Sequence, residues 1–425
     1  MKKVSPIKEA ELDVLDLLHK TSKEGHKIYT LCTENLCRIF QRHPSFVNRF
    51  RFDEFKCLFE FKQGEKWRPL EDSDVISIQT QLSVNFDFFQ KVGKDMTYDA
   101  IIKVGKDNAY DSAKDYISKI KWDGQARLDT WLSEVYGVPK ILYYKAVGSN
   151  WLKGLVKRIV EPGCKFDYVL VLEGEQGVKK SMSLSVLGGD WHVETTMSTD
   201  SKDFFMQFQG KAIIEFSEGE TLNRTEVKKM KAIITTQFDK YRPPYGRVSV
   251  DFPRRCVFAM TTNQEEYLKD ETGNRRWLPV RVVSPQANVA WLEENRDQLF
   301  AEAYHRVVNL KESVHEFPIE EMVRAQDERR IKDPNLEKIA DWYYNVLDDK
   351  QRELGITTDQ VFVHCMNGGF GGRPKTKWEE MSIANVLKND LKLQRRFSMR
   401  NGVRANYWHP NPLHNITLEV KENVF

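Results

Sequence analysis

Residues 171–184, VLEGEQGVKKSMSL, carry most of a phosphate-binding loop. The pattern is Gly, four residues, then Gly-Lys and Ser or Thr, and Gly174, Lys180 and Ser181 stand at their places. In such a loop, backbone N–H groups and a helix N-terminus surround the phosphates, the lysine reaches the terminal phosphates and the hydroxyl binds Mg²⁺. The second glycine is missing, because position 179 is a lysine. The other residues expected along the phosphates are Glu175, Gln176, Gly177 and Val178.

The segments around this motif have the order strand, loop, helix that a phosphate-binding loop requires. YVLVLEG precedes the loop as an apolar run, and SMSLSVL follows it and ends at Gly188-Gly189. With one glycine replaced, the motif by itself also fits an ordinary strand-to-helix turn. Other parts of the sequence have to decide between the two.

The next two apolar runs end in polar side chains. KAIIEFSE ends in Glu215 and Glu218, and RRCVFAMTTN ends in Thr262 and Asn263. One carboxylate can hold Mg²⁺ and its bound water, while the other polarises the attacking water. Ligands bind beyond the carboxyl ends of parallel strands, so the asparagine can sense the γ-phosphate or orient water. Solvated residues at a strand end are the alternative for the two acids.

The segment DKYRPPYGRVSVDFPRR, residues 239–255, is typical of a hairpin, because Pro243-Pro244 and Gly246 favour a tight turn. Basic residues and tyrosines alternate around this turn, a combination that can bind a phosphate backbone and stack on bases. The candidate DNA-binding residues are Lys240, Arg242, Tyr245 and Arg247, and Tyr241 lies between them. A plain exposed hairpin carries such charges too, so the segment alone leaves both interpretations open.

Paired arginines follow a glycine turn in DETGNRRWLPV, residues 270–280. Arg275 and Arg276 come just after the strand that ends in Asn263. In nucleotide-hydrolysing assemblies, an arginine at such a position can reach the nucleotide of a neighbouring subunit and stabilise the developing charge. A salt-bridged turn is the alternative.

Composition limits the class of protein. A length of 425 residues predicts two or three domains, and 40% hydrophobic with 30% charged residues is typical of a soluble globular chain. The net charge of +3 is too small to indicate nucleic acid by itself, so DNA contacts have to come from local clusters. The six cysteines form no Cys-x-x-Cys pair, which argues against a zinc site or a disulfide framework. No run of about 18 apolar residues occurs and the N-terminus is charged, so we expect a cytoplasmic protein without a membrane partner.

Residues 1–110 are expected to form a small α/β domain. ENLCRIFQRHP has helical periodicity, RFRFDEFKCLFEFK alternates like a hairpin around Asp53-Glu54, and DSDVISIQTQLSVNF begins like a capped helix. Asp72 and Asp74 form an Asp-x-Asp pair that could hold a metal. We favour a cap and a first-turn acid for this pair, because no further acidic motif supports a metal.

Residues 111–325 are expected to combine a helical, aromatic segment with a parallel sheet, because FDYVLVLEG is a continuous apolar run that suits a strand buried on both faces. Residues 326–425 are expected to form a third domain. LEKIADWYYNVL, TTDQVFVHCM and SIANVLKNDLKL predict three short helices, and RRFSMRNGVRANYWHP predicts a hairpin turning at Asn401-Gly402. Three helices and a basic hairpin suggest a winged helix, whose wing would carry Arg395, Arg396, Arg400 and Arg404.

Residues from about 115 to 283 resemble the virulence-associated protein E family of phages and mobile elements, which is similar to a branch of the superfamily 3, AAA+-type replicative helicases. The resemblance covers roughly two-fifths of the chain, in long and specific segments. Those segments are KWDGQARLDTWL, PGCKFDYVLVLEGEQG, GKAIIEFSEGE, DKYRPPYGRVSVDFPRRCVFAMTTN and YLKDETGNRRWLPV.

The resemblance implies a P-loop AAA+-like ATPase core that uses ATP and Mg²⁺, forms a homo-oligomeric ring, expected to be a hexamer, and acts on DNA in a bacterial host cell. It implies Lys180 and Ser181 as the phosphate-loop pair, with Ser181 and Glu215 at the metal. The implied roles of the other residues are the acidic motif for Glu215 and Glu218, the sensor for Asn263 and the arginine finger for Arg275 or Arg276. The hairpin YRPPYGR then matches the element that enters the central channel and contacts single-stranded DNA, while the winged helix is expected to recruit an origin duplex or a partner. We expect no primase activity from the roughly 110 residues before the match.

The departure from the family is Lys179, where a glycine is usual. Glycine suits a backbone that must take a positive φ or approach the phosphates without a Cβ. A lysine reaches the left-handed region only with strain of about 1–3 kcal/mol. Its side chain then has to point away from the phosphates or take the place of Lys180. Two functions follow, an ATP-dependent DNA helicase or translocase, and a non-hydrolysing ATP-fold oligomer that binds DNA and regulates replication.

Overall fold

The computed structural model describes residues 9–89, 91–195, 204–217, 224–242, 249–268, 274–331, 333–367, 373–400 and 403–411. The chain divides into two compact units, Met1–Arg330 and Ile331–Phe425. Our further division of the first unit near residue 110 stays a prediction. No helix among the described residues is long and apolar enough to cross a membrane.

The first unit begins with a small mixed sheet covered by helices. Its elements are α1 (Glu9–Leu15), β1 (His19–Thr21), β2 (Lys27–Tyr29), α2 (Thr33–Arg42), β3 (Phe50–Asp53), β4 (Leu58–Gln63), β5 (Lys66–Pro69), α3 (Asp72–Asn85), α4 (Lys94–Asp107) and β6 (Ala109–Tyr110). The four-stranded sheet has the order β5-β4-β3-β6. Strands β3 and β4 pair antiparallel with Phe52 opposite Phe59, so the predicted hairpin is confirmed.

The acidic pair at the start of α3 belongs to a helix cap. Asp74 accepts the backbone N–H of Glu71 at 2.9 Å and two hydrogen bonds from Arg68 at 2.7 and 2.6 Å. Asp74 is therefore the first-turn acid that we predicted and completes a capping box, whereas the predicted cap was wrong by one residue, because the N-cap is Glu71 and Asp72 is also in the first turn. Among the described residues, no group of three or more His, Cys, Asp or Glu side chains could hold a metal ion.

The central part of the first unit contains the large sheet. Its elements are α5 (Ser112–Lys119), α6 (Trp131–Tyr136), α7 (Leu142–Val160), β7 (Val169–Glu173), α8 (Lys180–Gly188), β8 (His192–Thr195), β9 (Ile213–Phe216), α9 (Arg224–Thr235), β10 (Phe238–Tyr241), β11 (Val250–Pro253), β12 (Val257–Thr262), β13 (Trp277–Arg281), α10 (Val289–Tyr304) and α11 (Ile319–Glu328). Short 3₁₀ turns are formed by Gly189–Trp191, Phe204–Phe208 and Asn274–Arg276.

Five parallel strands form this sheet in the order β13-β7-β12-β9-β8. All five residues of β7 are buried, as we predicted for a strand covered on both faces. Leu170 and Leu172 belong to the apolar cluster on one face, while Val169 and Val171 belong to the cluster on the other. This alternation follows from the two-residue period of a strand. The predicted mixed α/β fold with a parallel sheet is confirmed.

Helices with tryptophan and tyrosine cover one face of the sheet. Trp131, Tyr136 and Trp151 are fully buried in the same cluster as Leu170. The indole N–H of Trp151 donates to the carbonyl of Phe258 on β12 at 3.0 Å, which ties α7 to the centre of the sheet. The aromatic residues at helical spacing therefore form the core, as predicted.

The second unit contains helices α12 (Leu336–Asp341), α13 (Asp349–Leu354), α14 (Thr358–Val361) and α15 (Lys377–Asn385), and strands β14 (Gln394–Arg400) and β15 (Val403–His409). Three of these helices, α12, α14 and α15, continue into a π-helical turn, and they match the three predicted helices. We did not predict helix α13 from the sequence. The predicted hairpin is confirmed, and its turn residues 401–402 lie outside the described residues. Ile356, which precedes α14, forms an antiparallel bridge with Trp408.

Gly154 lies where α7 passes the ring of Phe166. A Cβ at this position would overlap three ring atoms of Phe166. Alanine normally favours a helix over glycine by about 1 kcal/mol. We expect Gly154→Ala instead to lower the free energy of unfolding by about 1–3 kcal/mol, as overpacking does. Chemical denaturation measures this change. In a Phe166→Ala background the penalty should disappear, and a penalty of the same size there would contradict the assigned contact.

Candidate functional site

The loop between β7 and α8 has a backbone suited to a phosphate site. Gly174 and Gly177 have φ angles of 151° and 87°, which L side chains rarely adopt. A Cβ at Gly177 would meet no atom within 4 Å, so the loop backbone there borders open space. The nine-residue helix α8 begins directly after the loop and directs its N-terminus toward it.

Lys179 takes the strained conformation that we predicted. Its φ of 64° and ψ of 32° lie in the left-handed region, where it is the N-cap residue of α8. The residue is exposed, while Lys180 is buried. The loop therefore keeps the backbone shape that a glycine would give, at the energetic cost of a non-glycine residue with positive φ.

Lys180 connects the loop to the end of β12. Its ammonium donates to the carbonyls of Gly174 and Glu175 at 2.6 and 2.9 Å. It also donates to Oδ1 of Asn263 at 2.9 Å. The predicted phosphate-loop lysine and the predicted sensor are thus in direct contact.

Glu215 is a carboxylate with no exposed surface, and it accepts hydrogen bonds from three sides. Ser181 Oγ and Thr261 Oγ1 donate to its Oε1 at 2.6 and 2.9 Å. Nε2 of His192 lies 2.8 Å from its Oε2, a hydrogen bond that requires the proton on Nε2. The structure therefore brings Ser181 and Glu215 together, as a shared magnesium site requires. Glu218 lies outside the described residues.

Sequence reasoning missed Thr261 and His192. Thr261 precedes Thr262 inside the buried strand β12, and His192 begins β8, so neither ends an apolar run. Thr261 could have been found, because it is a polar residue inside an otherwise apolar strand. For His192 no local signal existed, because the contact depends on β8 lying beside β9.

A cavity of about 650 Å³ lies over these groups. Its lining residues are Gln176, Gly177, Val178, Lys179, Lys180, Ser181, Met182, Ser217, Thr261, Thr262 and Asn263. A buried lysine, a helix N-terminus and positive-φ glycines fit a phosphate chain. A serine hydroxyl beside a carboxylate fits Mg²⁺, which keeps several waters and takes few protein ligands. The residues present therefore fit a nucleotide with Mg²⁺.

A second buried carboxylate lies at the residue before the loop. Glu173 Oε1 accepts from the hydroxyl of Tyr267 and from Nε of Arg329, both at 2.7 Å. Burial, together with the neighbouring carboxylate, raises the pKa of Tyr267, so that its hydroxyl stays a neutral donor. This cluster anchors the last residue of β7, from which the loop begins, to the segment after α11.

Arg275 and Arg276 lie at the other end of the sheet. They precede β13, and Trp277 pairs with Val169 at the start of β7, whereas the loop follows Glu173 at its end. Five strand residues separate the two ends by roughly 16 Å. Nε of Arg276 lies 3.6 Å from Asp167, and both arginines line a cavity of about 1080 Å³. These arginines therefore cannot reach the phosphate site of their own chain.

The predicted hairpin is formed by β10 and β11, which pair antiparallel from Phe238↔Pro253 to Tyr241↔Val250. Lys240 and Arg242 are exposed on it. Residues 243–248, which include Tyr245 and Arg247, lie outside the described residues. Tyr241 does not offer a free ring, because it is buried and stacked on Phe252 at 4.3 Å.

The model of the virulence-associated protein E-like domain matches residues 117–332, which is half of the chain. The chain belongs to the virulence-associated protein E-like family. Our assignment of the family from residues 115–283 is confirmed. The match extends further along the chain and includes α10 and α11. The family assignment implies a nucleotide-binding P-loop.

Solved structures of the NrS-1 C-terminal region are similar to this virulence-associated protein E-like chain. The apo structure matches at 14% sequence identity over 85% of this chain and 96% of that chain, with a TM-score of 0.48. The A form apo structure matches at 13% identity over the same shares, with a TM-score of 0.49. No curated protein matches the chain.

We expect His192 to position Glu215. His192→Ala removes a hydrogen bond to a buried carboxylate, which should lower the free energy of unfolding by about 1–3 kcal/mol. It should leave the affinity for a fluorescent ATP analogue within roughly twofold, since His192 does not line the cavity, and lower any ATP turnover about tenfold through misplacement of Glu215.

His192→Gln retains a hydrogen-bond donor and should restore most of the lost stability and most of the lost ATP turnover. The exposed His26, changed to Ala, serves as the matched control. Equal turnover in His192→Ala and the unchanged chain would remove His192 from the site.

Proposed function

We propose that this protein is an ATP-dependent DNA helicase or translocase of the superfamily 3 type, which acts in replication of a phage or mobile element. The observation that supports this most is that side chains at the carboxyl ends of three neighbouring strands, β7, β12 and β9, are joined by hydrogen bonds. Lys180 contacts Asn263, and Ser181 contacts Glu215. An ordinary strand-to-helix turn has no need of these contacts.

The residues of the loop would bind and orient the nucleotide. The ammonium of Lys180, which now donates to loop carbonyls, would donate to phosphate oxygens instead. Its position between Gly174 and Asn263 allows this change of partners. Mg²⁺, when bound with ATP, neutralises charge on the phosphates. Ser181 and Glu215, which lie within hydrogen-bond distance of one another, would hold the ion, Ser181 as a ligand and Glu215 through its bound water.

Two further groups would act on the attacking water. Asn263 lies beyond the carboxyl end of β12, where its amide can orient a water at the terminal phosphate. Glu218 follows β9 by two residues and is proposed to polarise that water. Thr261 and His192 form hydrogen bonds with Glu215 and would keep its carboxylate oriented toward Ser181.

The positions of the arginines support a ring. Arg275 or Arg276 is proposed to stabilise the phosphate charge during hydrolysis. Because both lie far from the loop of their own chain, we propose that they act on the nucleotide of a neighbour. A head-to-tail contact of this kind gives a ring when the rotation between subunits closes, and we propose six subunits.

The hairpin of β10 and β11 is proposed to contact single-stranded DNA in the channel. Lys240 and Arg242 are exposed on it. Its strands are held by buried Arg254, which donates to Asp239 at 3.0 Å, and by the stacking of Tyr241 on Phe252. Through these contacts, movement of the sheet would be transmitted to the basic residues of the hairpin.

A non-hydrolysing, DNA-binding regulator is the second candidate, and the strained Lys179 favours it. An extra cation beside the loop supports binding of an anionic ligand, while hydrolysis needs tighter geometry. The buried, fully hydrogen-bonded Glu215 favours the enzyme, because a buried carboxylate is costly to keep without a role.

The two candidates differ in the effect of Lys179→Gly. This change should relieve about 1–3 kcal/mol of backbone strain, let the loop close on the phosphates and raise ATP turnover. Lys180→Ala in the same background should abolish turnover. A steady-state ATPase assay with and without single-stranded DNA measures both. If Lys179→Gly leaves a folded, ATP-binding ring inactive, the regulator replaces the helicase.

A mixing experiment tests the arginines. One chain carries Arg275→Ala/Arg276→Ala and the other carries Lys180→Ala, both with Lys179→Gly if that change is needed for activity. Each chain alone should be inactive, and mixed rings should regain part of the turnover, because one type of interface retains both halves. Rings of Lys180→Ala chains mixed with each other are the control. Confirmed mixed rings without recovery would contradict a finger acting between subunits.

A further inference from the structure

The hairpin of β14 and β15 in the second unit exposes two large apolar side chains on one face. Arg395, Phe397 and Met399 alternate along β14 on the face that also holds Trp408, the cross-strand partner of Arg395. Trp408 is buried, whereas Phe397 and Met399 are 69% and 65% exposed. This face is therefore buried at Trp408, near the base of the hairpin, and exposed at Phe397 and Met399, toward its tip.

The hairpin is also strongly basic. Residues 391–411 contain five Lys or Arg residues and no Asp or Glu. Arg395, Arg396 and Arg404 are exposed, and in the described part of the chain no carboxylate pairs with them. Arg404 faces Met399 across the strands, so cations flank the bare apolar side chains.

Helix α15, which precedes the hairpin, has a different surface. Its exposed residues near the N-terminus are Lys377, Trp378, Glu380 and Met381, one cation and one anion among them. Glu379 is buried and binds Arg373. A helix that enters the major groove has to face phosphates on both sides, and this one offers no excess of positive charge.

We propose that the second unit binds duplex DNA through the hairpin rather than through α15, with Phe397 and Met399 inserted between base pairs and Arg395 and Arg404 on the flanking phosphates. Apolar wedges between basic side chains are the means by which proteins open and kink a base step from the minor groove. Cations without carboxylate partners supply the affinity for the backbone. This site is independent of the nucleotide site and of the β10–β11 hairpin.

The test measures binding of the full-length chain to a fluorescent duplex of mixed sequence, without nucleotide, over a range of salt concentrations. Arg395→Ala/Arg404→Ala should weaken binding and lower the slope of log affinity against log salt by about two, one for each lost phosphate contact. Phe397→Ala/Met399→Ala should weaken binding roughly tenfold without changing the slope, and should abolish the bend measured by energy transfer between the duplex ends.

The matched control is Lys377→Ala/Trp378→Ala on α15, which removes one cation and one aromatic side chain of similar exposure. It should bind and bend the duplex like the unchanged chain. Phe397→Tyr retains the ring and should retain the bend, and thermal unfolding confirms that each variant is folded. The assay contains no nucleotide, so a failure of the proposed ATPase would not affect this result.

Three outcomes would overturn the inference. The first is an α15 control that weakens binding as much as the hairpin variants. The second is a loss in Phe397→Ala/Met399→Ala that is confined to single-stranded DNA, which would make the face a stacking platform. The third is a change only in self-association, seen by sedimentation, which would assign the face to a second copy of this chain.

Discussion

The buried carboxylate of Glu215 is the constraint on which the site depends. A carboxylate without exposed surface is stable only when its oxygens accept hydrogen bonds. Its donors come from three other elements, Ser181 on α8, Thr261 on β12 and His192 on β8. Satisfying this one group therefore ties together the three adjacent strands β12, β9 and β8 and the helix that follows the loop. The geometry of the candidate site and the packing of the fold share the same contacts.

The strained loop shows how that constraint acts on its neighbours. Helix α8 has to begin where Ser181 can reach Glu215, and the loop from Gly174 must span the gap with a left-handed residue at position 179. Glycine would meet this demand without strain. Here a lysine takes this conformation, and the next two residues, Lys180 and Ser181, are held by hydrogen bonds to Asn263 and Glu215. The anchoring of Glu173 by Tyr267 and Arg329 holds the other end of the loop.

Much of the fold followed from local patterns. The run VLVLE predicted a strand buried on both faces because its first four residues are apolar, and the first-turn acid at Asp74 followed from its place at the start of a helical segment. Helix α13 was missed because it has only six residues, with no buried side chain among them. The strand ends at Glu215 and Asn263 could be predicted because they interrupt apolar runs. His192 and Arg329 could not, since their contacts arise only when distant strands become neighbours.

The parallel sheet also separates the two charged ends of the core. In parallel strands all carboxyl ends lie on one edge, so the phosphate loop, Glu215 and Asn263 collect there, and the amino ends collect Arg275 and Arg276 on the opposite edge. A single chain thus offers an anion-binding edge and a cationic edge about one strand length apart. Although β13 lies beside β7 in the order β13-β7-β12-β9-β8, its arginines lie too far from the loop to contact a ligand bound there. Strand polarity, rather than adjacency in the sheet, therefore decides which side chains can share one ligand.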